Sequence, residues 1–200
     1  MSEELSGTKV AILSADGFEQ SELLEPKKAL ENAGAEVQVI SIKAGSIKGW
    51  DKKDWGQSVT VDAVIDEVNP EDFDALMLPG GVINPDKLRQ QEKVIEFVTA
   101  FMKSGKPIAA ICHGPQTLIE TGLLKGRKLT SYSSIKTDLV NAGAEWVDQE
   151  VVVDRGLVTS RKPDDIPAFN KKMIEEFAEG IHDRSPIRRV EKDVPTKSMH

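Results

Sequence analysis

Short apolar runs alternate with longer stretches of helical period along this chain. "KVAILS" (9–14) and "EVQVIS" (36–41) are rich in β-branched residues and too short for helices. The stretch between them ends at "ENAG", where Gly34 supplies a helix stop, and Pro26 inside it predicts a kink or a restart. "SVTVD" (58–62) and the apolar "DALMLPGG" (74–81) read as further strands. Val94, Ile95, Phe97, Val98, Phe101 and Met102 then fall on one helical face that Gly105 ends. "PIAAIC" (107–112) is a buried strand, and "PQTLIETG" continues as a helix with Pro115 in its first turn. "KLTSY", "IKTDLVNAGA", "EVVVD", "LVTS" and "DDIPAFNKKMIEEFAEG" complete the order strand, helix, strand, strand, helix. Fully apolar strands separated by helices imply a mainly parallel sheet covered on both faces. The expected architecture is α/β, a three-layer α/β/α sandwich forming one domain over 1–180. Residues 181–200 have little apolar periodicity and read as a mobile tail.

Composition narrows the possible partners. With 200 residues, 39% of them apolar, the chain can fill one sizeable core. A formal net charge of -7 with scattered basic residues excludes a general nucleic-acid or anionic-membrane surface. No apolar run reaches the ~18 residues of a membrane span. Met1-Ser2-Glu3-Glu4 lacks the basic-then-apolar pattern of a secretion signal, so the expected location is the cytoplasm. A lone cysteine forms no internal disulfide. Three histidines, at 113, 182 and 200, give no zinc-site spacing, so neither metal nor cofactor is expected.

That cysteine sits in "AAICHGPQTL" (109–118), where the apolar strand ends and a helix begins. In parallel α/β sheets, ligands bind beyond the carboxyl ends of strands. A strand–nucleophile–helix turn needs small residues two before and two after the nucleophile, and Ala110 and Gly114 supply them. A helix N-terminus there favours thiolate over thiol. The alternative is a buried, inert cysteine, the commoner state of a free thiol. Gly80 and Gly81 close another apolar strand, where backbone N–H groups can approach developing charge, although a strand-end glycine pair is ordinary by itself. Glu19 in "SADGFEQ" belongs to the same sheet edge and is expected to hydrogen-bond the thiol; taken alone it reads as a solvated first-turn acid.

These stretches resemble the ThiJ/PfpI family, within the class I glutamine-amidotransferase-like superfamily. The motifs are "AICHGPQTLI", "FDALMLPGG" at 73–81, "GFE" at 17–19, "NAGAEWVDQEVVVD" at 141–154 and "LVTSRKPDDIPAFN" at 157–170. The resemblance implies a flavodoxin-like fold, Cys112 as nucleophile, Glu19 as its acidic partner and His113 as the histidine of a triad. It also implies that a neighbouring subunit contributes the acid that orients His113. The match is Asp86 in "NPDKL", one methylene shorter than the glutamate of the archetypal protease, so the expected partner is a second copy of the chain. A plain helix-start acid reads equally well. Tyr132 resembles a pocket-lining residue or a core tyrosine, and Arg161 a substrate-facing cation or an exposed loop arginine. "GWDKKDWG" (49–56) looks like an inserted charged loop carrying two tryptophans.

Three classes of function stay open at this point. One is a stress-response cysteine hydrolase, either a deglycase or glyoxalase acting on methylglyoxal adducts or a peptidase, with deglycase chemistry asking less of a triad. The second is a redox sensor through oxidation of Cys112, and the third a chaperone-like stress protein. Glutaminase chemistry is excluded, because no His-x-Glu pair follows residue 113.

Overall fold

The computed structural model describes residues 4–182. In chain order the elements are β1 (Lys9–Leu13), β2 (Phe18–Glu19), α1 (Gln20–Asn32), β3 (Glu36–Ser41), β4 (Ser46–Asp51), β5 (Asp54–Thr60), β6 (Ala63–Val64) and β7 (Ala75–Leu78). They continue as α2 (Ile83–Leu88), α3 (Glu92–Ser104), β8 (Ile108–Ile111), α4 (Gln116–Ile119), β9 (Lys128–Leu129) and α5 (Lys136–Asn141). The last are β10 (Glu145–Trp146), β11 (Val151–Asp154), β12 (Leu157–Ser160) and α6 (Ile166–Glu179).

Seven strands form the central sheet in the order β11-β12-β8-β7-β1-β3-β6, parallel throughout except for the antiparallel edge strand β11. Alternation along each strand sends side chains to two separate cores. Val10, Ile12, Ala75, Met77, Ala109 and Ile111 pack with Leu23 and Leu30 of α1 and with Phe169 and Met173 of α6. Ala11, Leu13, Leu76, Leu78, Ile108 and Ala110 pack on the opposite face with Val94, Phe97 and Phe101 of α3 and Leu139 of α5. The three-layer α/β/α sandwich is therefore built as the unbroken apolar strands require, since a strand buried on both faces has no polar side.

Several local readings are corrected. α1 runs through Pro26, which sits on its buried face. "KLTSY" contributes only the two residues of β9, and α4 is a single turn with Pro115 as its N-cap. "GWDKKDWG" is no irregular loop: it forms the end of an antiparallel β4–β5 hairpin, joined through β2 to the start of α1. The hairpin tip is fixed by Trp50 Nε1–H donating to the Lys52 carbonyl (3.2 Å) and by Trp55 packed edge-on to Trp50. The expected mobile tail lies outside the described residues from 183 onward. Its first two residues are anchored, His182 N–H donating to the Gly105 carbonyl (2.8 Å) and its ring lying against Gly156.

Candidate active site

β1, β7, β8 and β12 end together, and Cys112 is the first residue beyond β8. It adopts φ 61°, a left-handed conformation that costs a non-glycine residue about 1–2 kcal/mol. Two backbone bonds hold it there. Cys112 N–H donates to the Ser160 carbonyl (3.0 Å), and Tyr132 N–H donates to the Cys112 carbonyl (2.9 Å). The following turn closes through Gly114 N–H to the Ile111 carbonyl (2.8 Å), and a Cβ on Gly114 would stand 2.5 Å from the Leu78 carbonyl oxygen. The elbow that the small residues predicted is present, and it packs too tightly against β7 for any larger residue.

The acid against the sulfur is Glu22, not Glu19. Glu19 is the N-cap of α1; its carboxyl bonds Ser21 and faces the charge of Asp51. Glu22, inside the first turn, points back beneath the elbow, completely buried. Its Oε2 accepts from Gly80 N–H (3.0 Å), and Cys112 is its side-chain hydrogen-bond partner. Burial, with the charge of Glu19 adding to it, pushes the Glu22 carboxyl up to about 8, so it is protonated at neutral pH. Burial also pushes the Cys112 thiol up, and an ionised Glu22 reinforces this, while the Gly81 and His113 amides oppose it. The two groups titrate as one coupled pair. The expected resting thiolate is thus corrected, because burial outweighs the N-terminus of so short a helix as α4. With the proton on Glu22 the repulsion between the two charges vanishes, and the acid donates toward sulfur as negative charge develops there.

The double glycine serves both groups. Gly80 N–H is occupied by Glu22, the Gly81 amide, at φ 81°, is shared between Glu22 and Cys112, and the His113 amide is directed at Cys112. Asn84, fully buried, locks this loop to β1. Its side-chain amide donates to the Pro79 and Gly80 carbonyls (2.9 and 3.1 Å), and its carbonyl accepts from Ala15 N–H (2.7 Å).

His113 lies beside Cys112 with Nδ1 at 3.2 Å from Sγ and Nε2 at 3.1 Å from Ser134 Oγ. Tyr132 stacks on the imidazole at 4.9 Å between centroids. Burial lowers the His113 pKa, leaving the ring neutral and able to accept a proton. Cys112, His113, Glu19, Glu22, Gly81, Tyr132 and Ser134 all line one cavity of about 580 Å³, walled further by Trp50 and Lys52 of the hairpin and by Val82 and Ile83. Glu19 therefore shares the cavity without touching the sulfur.

Two expected residues fall elsewhere. Arg161 does not line this cavity; it is bound by Asp165 (Nε to Oδ2, 2.9 Å) and Asp148 (Nη1 to Oδ1, 2.7 Å), pairs that satisfy its guanidinium and join the end of β12 to the start of α6. Asp86 is exposed on α2, accepts from Gln90 in the turn just past that helix, and makes no bond to His113 within the chain. Among the described residues one mixed group has a ligand-like arrangement: Glu176, Glu179 and His182 bring donor atoms within 4.8 Å of one another. It lies near Gly105 and Gly156, at the end of the sheet opposite Cys112. No helix among the described residues is long and apolar enough to cross a membrane.

The model of the DJ-1/PfpI family matches residues 8–176. General stress protein 18 of Bacillus subtilis is 52% identical over 170 residues, spanning 84% of this chain and 96% of that protein. Deglycase PfpI of Pyrococcus furiosus is 48% identical over 166 residues, 83% of this chain and 97% of the other. Among solved structures, a two-domain protein of Anabaena variabilis containing DJ-1/ThiJ/PfpI-like and ferritin-like domains superposes with a TM-score of 0.80 at 39% identity. That match covers 84% of this chain and 47% of the other. The elbow, the parallel sheet that carries it and these matches lead to one assignment: the chain belongs to the DJ-1/PfpI family.

Proposed function

We propose that this protein is a cysteine-dependent hydrolase that repairs methylglyoxal adducts of amines and thiols. The observation that carries this reading is the grouping around Cys112 of a fully buried carboxyl and an imidazole at 3.2 Å, open to a cavity of about 580 Å³. Relatives named as deglycases support it. Sulfur attacks the adduct carbon, forming a C–S bond; the bond to the amine or thiol breaks, and that group leaves with a proton from Glu22. His113 takes the thiol proton; in the shift that converts the hemithioacetal into its isomer, a 2-hydroxyacyl thioester, the Glu22 carboxylate takes the C–H proton while His113 returns its own to the neighbouring carbonyl, restoring both groups. Water then cleaves the thioester, so adduct and water yield the free amine and a 2-hydroxy acid. The amides of Gly81 and His113 face the charge that develops.

Peptide hydrolysis is less well supported. An amide needs a histidine charged strongly enough to protonate a poor leaving group, and His113 has no carboxylate partner among the described residues. The test compares the rate of release from a methylglyoxal-treated thiol with the rate on an unstructured protein substrate. The wild type is expected to act on the first and Cys112→Ala on neither; a Cys112→Ala protein with undiminished release overturns the reading.

A further inference from the structure

Both nitrogens of the His113 ring are engaged, and the second engagement is with a hydroxyl. Nδ1 faces the Cys112 sulfur at 3.2 Å, and Nε2 lies 3.1 Å from Ser134 Oγ. We propose that Ser134 is the positioning residue for His113, completing a thiol–imidazole–hydroxyl relay inside a single chain. The inference deepens the reading above and rests on Cys112 and His113 being its reacting pair.

Ser134 is held in place by the elbow itself. Tyr132 N–H donates to the Cys112 carbonyl (2.9 Å), and Ile135 N–H closes the turn onto the Tyr132 carbonyl (3.2 Å). Ile135 is buried in the core and Tyr132 stacks on the imidazole, so Ser134 sits at the exposed apex of a turn fixed at both ends. The hydroxyl therefore moves with the nucleophile and not with a separate loop. Ser134 also lines the cavity, which puts its oxygen within the space that substrate enters.

The chemical consequence follows from what a hydroxyl lacks. Nε2–H donating to Oγ fixes the neutral tautomer whose Nδ1 lone pair points at sulfur. As sulfur attacks, the S–H proton passes to Nδ1, the S–H electron pair becomes the new C–S bond, and Nε2–H keeps its bond to Oγ. Orientation is thereby secured as an acid would secure it. Charge is not: a neutral oxygen stabilises imidazolium less than a carboxylate does, so the proton is passed on quickly. That suits adducts of an aldehyde, whose leaving groups depart easily, and disfavours amides.

The test uses the full-length protein with Ser134→Ala, Ser134→Thr and Ser134→Asp. One direct hydrogen bond supports roughly a tenfold effect. Ser134→Ala is expected to lower the rate of Cys112 alkylation by iodoacetamide about tenfold and to lower kcat to a similar degree with KM unchanged. It is also expected to abolish the Nε2–H tautomer preference seen in ¹⁵N spectra of the His113 ring. Ser134→Thr restores all three, and Ser134→Asp moves the His113 titration to higher pH. A Ser134→Ala protein whose alkylation profile and tautomer coincide with wild type overturns the proposal, even if adduct repair is observed. If those two readouts respond while the wild type releases nothing from methylglyoxal adducts, the relay stands and the repair reading falls.

Discussion

Replacing Glu22 by glutamine keeps the acceptor for Gly80 N–H and the volume beneath the elbow while removing only the proton that titrates. In the folded chain this carboxyl is pushed from the usual 4.5 to about 8 by burial and by the nearby charge of Glu19. Between those values the folded state binds more protons than the unfolded one, so stability falls as pH rises. At about 1.4 kcal/mol per pH unit, the penalty grows to about 3 kcal/mol at pH 7 and levels off near 5 kcal/mol above pH 8. Glu22→Gln carries no such penalty. Urea unfolding of both proteins at pH 5, 7 and 8.5 is expected to show the variant gaining on the wild type steadily, by about 3 kcal/mol at pH 7. Titrating groups not coupled to Glu22 are common to both proteins and cancel in the difference, and what remains belongs to Glu22 together with its neighbours Cys112 and Glu19. The same variant is expected to turn over substrate far more slowly, because its amide cannot surrender a proton to the leaving group. Stability curves that run parallel from pH 5 to 8.5 would refute the reasoning, since they would mean that Glu22 is ionised in the folded chain at neutral pH.

Two further outcomes can be measured independently. In Gly80→Ala the new methyl would stand 2.3 Å from Glu22 Oε2 and 2.8 Å from the Ile111 carbonyl oxygen; overpacking of this kind costs about 1–3 kcal/mol, and unfolding and turnover should both register it. Arg127, buried, binds Asp154 through Nε to Oδ2 at 2.7 Å, so Arg127→Met is expected to cost about 3 kcal/mol near neutral pH, read by chemical denaturation. Burial pushes Asp154 up, but bonds from Arg155 and Arg127 outweigh it and hold the group below the usual carboxylate range. The stabilisation is present at neutral pH and is lost as pH falls through that lowered pKa, so the difference between variant and wild type should shrink in acid.

The sheet was legible in the sequence because strands buried on both faces have an unmistakable composition: "ALML" and "IAAI" contain no polar position at all. Two-residue strands such as β2, β6 and β10 carry no such signal, since their pairing is set by neighbours in space. The elbow was legible for a different reason, because Gly114 is imposed by backbone contact and leaves a mark in the sequence. The acid beside the sulfur does leave a signal in the sequence. Glu22, Pro26 and Leu30 recur at i, i+4 and i+8 on the buried face of α1, and an acid on an apolar stripe requires a partner. Asn84, two residues before Asp86, leaves no mark in the sequence, because a buried asparagine looks like any loop asparagine until its four contacts are known. Arg161 was placed by its position after a strand, which says nothing of the carboxylates of Asp148 and Asp165 that claim it.

The left-handed backbone of Cys112 is kept by one bond to the end of β12 and one from the loop that carries Tyr132. Neither tether belongs to the local turn, so Cys112 is cocked by elements 20 to 48 residues away. Losing either one lets the residue relax toward ordinary geometry while both cores remain packed. The geometry of the elbow is therefore the more fragile property, lost at the sheet edge well before the globule comes apart.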